Sequence, residues 1–422
     1  MSETATQPSG GTSGRPPTTR LAIVWIPGLG TRAETSVGAI ARNLATACNA
    51  QDVSQAAYEV VDATNATALG TTGLQVARSR IRRTPPGGSE PADLADIWGL
   101  PTGSVMGKDT VDAGLVRKLG LILHALWVVL RRTRGGDKDS LTPKQRRQLR
   151  YTHAYMVIGA LAALLLAAAL AASGIAALSG ADAVLGVSLE AFGFTSVGVT
   201  AITGALAYAK RAAISASSVM GGAVRYLEND ARKPELLGAL TQTLDAMADQ
   251  EQYTHVLVAG YSFGSIVALD GICPEVSLGA QRGYDVLCGL VTIGCPFDYV
   301  RRYWPDYFDG RHPRKGELPW INVCRPGDVF ASNFRDDDES VAADPQIGIG
   351  RDGAADGPAR PINVYYPDDQ PARLSFGEAV ALKGLKVHGG YWSADSGGAD
   401  AFVFVAALLG GQGLVPVDAQ GG

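Results

Sequence analysis

The chain has 422 residues, with 37 Lys and Arg against 41 Asp and Glu and a net charge of −4; no global excess of positive charge points to nucleic acid. That length accommodates one large domain with an insertion, or two domains. The five cysteines (Cys48, Cys273, Cys288, Cys295, Cys324) show neither CxxC nor Cys/His metal spacing, and they read as buried, reduced thiols of a cytosolic domain.

Residues 1–20 are rich in Ser, Thr, Gly and Pro without an apolar core, so a disordered tail is expected there, and no secretory signal. Leu21 to Ile26 (LAIVWI) then reads as a strand that ends in Pro27-Gly28-Leu29-Gly30. A helix is expected over roughly 34–48 and a strand over 58–61. These elements open the first part of an α/β domain, residues 21–110.

A helical insertion is expected over 111–215. Leu115 to Leu130 (LVRKLGLILHALWVVL) reads either as an amphipathic interface helix or as a cap helix over an apolar pocket. Residues 131–150 hold eight Lys or Arg. Residues 155–178 then run for 24 positions without a charge, against about 20 needed to cross a bilayer. A second stretch, 192–209, has 18 residues, and the two share small residues that allow close helix approach. Basic flanks at both ends (the 131–150 run and Lys210-Arg211) place both ends of such a membrane hairpin in the cytoplasm. The basic run itself suits anionic headgroups. A buried, Ala-rich hairpin in a soluble cap is the alternative.

The second part of the domain, 216–410, is expected to resume with a helix over about 233–249. The run THVLVAGYSFGSIVALD (254–270) then places an apolar strand, Gly260-Tyr261-Ser262-Phe263-Gly264, and a helical stretch in succession. A Gly-x-Ser-x-Gly pattern between strand and helix sets the serine on a sharp turn with its hydroxyl exposed; a side chain at Gly260 or Gly264 crowds the packing. The chain has 52 Gly, so the five-residue pattern alone is weak and the strand-turn-helix context carries it. Further strands are expected over 284–293, 320–323 and 362–365, and a closing helix over 399–409, before a flexible tail at 411–422. Short apolar runs alternating with helices indicate a mostly parallel sheet with helices on both faces. Sites in such sheets lie at the carboxyl ends of the strands.

Three chemistries follow one another at those ends. Ser262 comes first, Asp328 follows in INVCRPGD, and His388 follows in KVHGGYW. A serine hydroxyl needs an imidazole to take its proton, and the imidazole needs a carboxylate to fix its tautomer. Of the other histidines, His124 and His153 belong to the insertion, His255 begins the nucleophile strand, and His312 lies in a charged stretch. Asp298, Asp336 and Asp368 remain alternatives for the acid. The N–H groups of Phe263 and of the loop around Leu29 are the expected oxyanion donors.

Taken together, these segments resemble lipase-like α/β hydrolases. GYSFGSIVALD looks like their nucleophile elbow, IPGLG resembles their oxyanion loop, and LVTIGCPFD is similar to the strand end that follows. PWINVCRPGD resembles their acid-bearing strand and VHGGYW their histidine segment. The resemblance covers about 21–65 and 220–405. Tyr261 and Pro27 stand where those proteins carry histidines, and Cys295 where they carry serine. The resemblance implies an α/β-hydrolase fold and hydrolysis of a carboxylic ester, often of a lipid, without metal or cofactor. The expected partners are thus an acyl or lipid ester and membrane lipids, at the cytoplasmic membrane of a bacterium with the catalytic domain facing the cytoplasm. A non-catalytic membrane scaffold or effector that keeps the fold, and a soluble esterase with a helical cap, are the alternatives.

Overall fold

The computed structural model describes residues 21–29, 33–69, 74–87, 90–102, 105–106, 221–228, 231–249, 253–275, 282–311, 318–334, 347–349, 355–359, 361–365 and 387–392. It also describes helical positions within 120–131, 142–154 and 402–409. The elements run β1 (Leu21–Ile26), α1 (Ala33–Gln51), β2 (Ala57–Leu69), β3 (Leu74–Thr84), β4 (Ala92–Gly99), α2 (Arg232–Asp249), β5 (His255–Tyr261) and α3 (Phe263–Ile272). Then follow β6 (Leu287–Ile293), α4 (Phe297–Tyr303), β7 (Trp320–Cys324), β8 (Ile347–Ile349), β9 (Ala355–Ala359) and β10 (Ile362–Tyr365).

Among the described residues, eight strands form one sheet in the order β10-β7-β6-β5-β1-β4-β3-β2. The first six of that order pair in parallel; β3 pairs antiparallel with both β4 and β2. The fold is α/β with a mostly parallel, mixed sheet, as the alternation of short apolar runs and helices predicts. β8 and β9 form a separate two-stranded pair.

β1 shows why helices cover both faces. All six of its residues are buried. Successive side chains point to opposite faces. Ala22, Val24 and Ile26 join one core with Leu236, Leu240 and Leu244 of α2 and with Ile266 and Val267 of α3. Leu21, Ile23 and Trp25 join a second core with Val37, Ile40 and Leu44 of α1. That second core also takes Phe402, Val405, Ala406 and Leu409, whose spacing of three and four is a helical stripe from the expected closing helix.

Four strands escape the sequence reading: β3, β4, β8 and β9. β3 (LQVARSRIRRT) carries Arg78, Arg80, Arg82 and Arg83 and lacks an apolar run. Its arginines are answered across the sheet: Arg80 lies opposite Asp96 of β4 in register and Arg78 opposite Trp98. Arg80 Nε donates to Asp96 Oδ1 at 2.8 Å, and Arg78 Nη2 to Asp96 Oδ2 at 3.0 Å. β2 also runs eight residues past the expected strand end at Val61, to Leu69, with register shifts between Val60 and Asp62 and between Thr64 and Thr67. Such shifts leave the extra residues, Asn65 among them, out of the register and let the pairing resume beyond them.

The expected hairpin segments, 155–178 and 192–209, and the tails, 1–20 and 411–422, lie outside the described residues. Among the described residues no helix is long and apolar enough to cross a membrane. Part of the insertion is visible where it docks. Thr142 Oγ1 accepts from Gln145 N at 3.2 Å while Gln145 Oε1 accepts from Thr142 N at 3.1 Å, a reciprocal helix cap. Gln145 Nε2 then donates to Asp298 Oδ1 of α4 at 2.9 Å, and the Tyr303 hydroxyl of α4 lies 2.6 Å from His153 Nε2.

Candidate active site

β1 stands beside β5, with Ile26 opposite Gly260, so the loop after β1 runs alongside the turn after β5. From β1 the chain order spreads both ways across the sheet, and the carboxyl ends at such a switch point frame a crevice. Ser262 occupies the turn between β5 and α3 with φ 53° and ψ −128°. A non-glycine residue in that region is held against a local penalty of order 1–3 kcal/mol, so its surroundings must fix it. They do. Ser262 N donates to Ile293 O at 2.8 Å, Ser265 N donates to Ser262 O at 3.0 Å, and Ser265 Oγ donates to Gly260 O at 2.8 Å.

Both elbow glycines are required by close approach. A Cβ on Gly260 would stand 2.6 Å from Ser265 Cα, and one on Gly264 would stand 2.1 Å from Ile26 O. Gly28 meets the same limit from the other loop, since its Cβ would lie 2.9 Å from Ser262 Cβ. The Pro27–Leu29 loop therefore presses its backbone onto the Ser262 turn. Phe263 is the first residue of α3, so its N–H has no acceptor within the helix and carries the helix's positive end. Phe263 follows Ser262 directly, and Gly28, the residue before Leu29, packs on Ser262, so both segments expected to supply oxyanion donors border this turn.

His388 reaches this turn from the far end of the chain. Its Nε2 lies 2.8 Å from Ser262 Oγ and its Nδ1 lies 2.8 Å from Asp328 Oδ2. The Asp328 side chain is fully buried, and that of His388 is 15 % exposed. Phe330 N donates to Asp328 Oδ1 at 2.8 Å, and the Tyr391 hydroxyl donates to Oδ2 at 2.9 Å. Burial, and then the neighbouring Asp328 charge, push the Tyr391 phenol well above its ordinary range, so it remains a donor.

The loop that carries Asp328 rests on a buried amide network absent from the sequence reading. Trp320 Nε1 donates to Thr292 Oγ1 at 3.0 Å, and Thr292 Oγ1 donates to Asn322 Oδ1 at 2.9 Å. Asn322 Nδ2 donates to Ser332 O and to Asn363 Oδ1, both at 2.9 Å, and Asn363 Nδ2 donates to Asn333 O at 2.9 Å. A buried hydrogen-bonded network of this kind fixes a loop geometry.

The structure thus brings Ser262, Asp328 and His388 into one hydrogen-bonded line. The alternatives fall elsewhere. Asp298 is bonded by Gln145 and by the Ser332 hydroxyl. His255 lies at the opposite end of β5 from Ser262, its ring 2.9 Å from Thr254 Oγ1. His124 faces Glu228 at 3.7 Å, and His153 faces Tyr303. Asp336, Asp368 and His312 lie outside the described residues. Tyr391 and Phe330 are site residues that the sequence reading did not single out. A tyrosine three residues after the histidine and an aromatic two after the acid are the signals that were there to find.

Chemically, the arrangement provides a hydroxyl nucleophile, a base within hydrogen-bond reach, a buried carboxylate behind the base, and a helix N-terminus beside the reacting oxygen. That is a set for acyl transfer. No protein-family model, curated protein or solved structure matches the chain.

Proposed function

We propose that the chain is a serine hydrolase of carboxylic esters with an α/β-hydrolase fold. The observation that carries this reading is the unbroken line Ser262–His388–Asp328, at 2.8 Å and 2.8 Å, on a serine held at positive φ. His388 Nε2 accepts the Ser262 proton as Oγ attacks the ester carbonyl. Phe263 and Leu29 N–H groups hold the oxyanion. The alcohol leaves with the proton from His388, and water, activated by the same imidazole, releases the acid from the acyl-enzyme.

A lipid or other acyl ester at a membrane surface is the substrate class this reading favours. The sequence supplies the uncharged 24-residue stretch at 155–178 and the basic run before it as a membrane hairpin and its anchor. Helical residues of the preceding segment add support. Leu123 and Trp127 are 44 % and 55 % exposed, and the Arg131 guanidinium lies 5.2 Å over the Trp127 ring. An exposed aromatic beside a cation suits the headgroup level. His124 of this segment meets Glu228, and in the chain just before Glu228 a Cβ on Gly222 would stand 3.8 Å from the Leu29 side chain. The exposed face is thereby linked to the oxyanion side of the site.

The test is ester turnover and fluorophosphonate labelling of Ser262→Ala against the unaltered protein. Loss of both is expected; unchanged turnover removes Ser262 as nucleophile. Membrane fractionation tests the second element, since release by carbonate or high salt rejects an integral hairpin.

A further inference from the structure

Tyr261 stands where the resembling hydrolases carry histidine, and it touches His388 in two independent ways. Its hydroxyl donates to the His388 carbonyl at 2.6 Å, across 127 positions of chain. Its ring lies parallel to the imidazole, centroids 5.5 Å apart and planes 21° apart. Phe330 closes another side, edge-on at 5.2 Å and 72°. Tyr391 packs edge-on to the Tyr261 ring at 6.2 Å.

This matters because His388 lies in a short segment and not on a strand of the sheet. Arg325 Nη1 holds the following residues through Gly390 O at 2.7 Å, and Arg325 N donates to the Tyr391 hydroxyl at 3.1 Å. Those bonds secure residues after the histidine. Tyr261 secures the histidine itself, backbone and ring, and it does so from the residue adjacent to the nucleophile. The last residue of β5 therefore sets the position of the base relative to the hydroxyl that β5 delivers. Burial, and then the Asp328 charge, raise the Tyr261 phenol above its ordinary range, so the hydroxyl remains protonated and donating.

We infer that Tyr261 is a positioning residue for the proposed hydrolysis, holding the His388 imidazole in the plane that joins Ser262 Oγ to Asp328. The inference rests on Ser262 being the nucleophile. A stacked ring face also favours the imidazolium that forms as the proton moves, through its quadrupole.

Two substitutions separate the two contacts. Tyr261→Phe keeps the stacked ring and removes only the bond to the His388 carbonyl; Tyr261→Leu removes both. The readouts are kcat and KM on a soluble p-nitrophenyl ester and the rate of Ser262 phosphonylation by a fluorophosphonate, each per folded molecule. The expected result is a fall in kcat of about five- to tenfold for Tyr261→Phe, with KM within about twofold. Tyr261→Leu falls further, and the phosphonylation rate drops in parallel for both. Kinetics within about twofold of the unaltered protein for both variants overturn the inference. So does a rise in KM at constant kcat, which makes Tyr261 part of the substrate wall. An unaltered protein that fails to label at all overturns the nucleophile reading instead, and so keeps the two failures apart.

Discussion

The Tyr391 hydroxyl donates to Asp328 Oδ2 at 2.9 Å, the same oxygen that faces His388 Nδ1 at 2.8 Å. One carboxylate oxygen thus ties the imidazole to a fully buried phenol, and Phe330 N holds the other oxygen. Asp328→Asn keeps the shape but puts an amide in place of one oxygen, so the imidazole loses its fixed tautomer. A fall in kcat on the order of 10⁴ is expected, with binding little changed. Asp298 was a rival for this role from sequence alone, yet its oxygens serve Gln145 and Ser332. Asp298→Asn is expected to leave kcat within about a factor of ten. Steady-state kinetics of the two variants decide the matter, and a reversed ranking would reassign the acid.

Gly264 shows how tightly α3 sits on β1. A Cβ there would lie 2.1 Å from Ile26 O and 2.7 Å from Pro27 O, both backbone atoms that cannot swing aside. Gly264→Ala must push α3 from the sheet or bend the Pro27–Leu29 loop, at a cost of about 3 kcal/mol or more. Gly389, next to the histidine, meets nothing within 4 Å at its Cβ position. Gly389→Ala is expected to change stability by less than about 0.5 kcal/mol. Chemical denaturation of the pair tests whether close packing at the elbow, and not glycine content near the site, sets the limit.

Much of this arrangement is legible before the structure, and its gaps have physical causes. β1, β5, β6 and β7 announce themselves because internal parallel strands are covered on both faces and must be apolar along most of their length. β3 and β4 stay silent because their polar residues are satisfied by one another. Arg78, Arg80 and Asp96 cancel across the ladder, which no single run of residues displays. Ser262 is readable because the turn imposes glycines on both sides. Asp328 is not separable from Asp298, Asp336 and Asp368 by spacing, because what selects it is the Asn322 and Asn363 network that folds its loop toward His388. Tyr261 is visible only as a departure from the resembling hydrolases, since its partner lies 127 positions away.

A second buried cluster lies at the far end of α3. Arg311 Nη1 donates to Asp270 Oδ1 at 2.6 Å, Lys233 Nζ stands 3.7 Å from Oδ2, and the Tyr307 hydroxyl donates to Oδ2. Asp270 and Arg311 are 1 % and 2 % exposed. Removing the carboxylate leaves buried cations without their counter-charge. Asp270→Ala is expected to cost about 3–5 kcal/mol. Eight residues of helix, roughly 12 Å, separate Asp270 from Ser262, so kcat per folded molecule should be unchanged. Denaturation curves and kinetics on the same preparation test both halves. A large loss of kcat without loss of stability would instead tie this cluster to the site.

All five cysteines are free thiols, and their surroundings rank their reactivity. Burial, and then the Asp52 charge, push the Cys48 thiol up to about 12. Burial does the same to Cys273, again to about 12, and raises Cys295 as well. Cys324 is fully buried on β7, whereas Cys288 on β6 is only half-buried. The thiolate is the reacting species, so at pH 8 only a minute fraction of a thiol at about 12 is available. Disulfide-exchange titration of the native protein should therefore show one fast thiol, abolished by Cys288→Ser, and five thiols after denaturation. A fast thiol that persists in Cys288→Ser would mean that one of the buried positions opens readily. Cys295 follows the Gly294 turn, whose absent Cβ would stand 3.2 Å from the His388 ring and 3.3 Å from Asp328 Oδ2, so opening there would expose the His388–Asp328 pair. Ester turnover is accordingly expected to survive complete modification of the fast thiol.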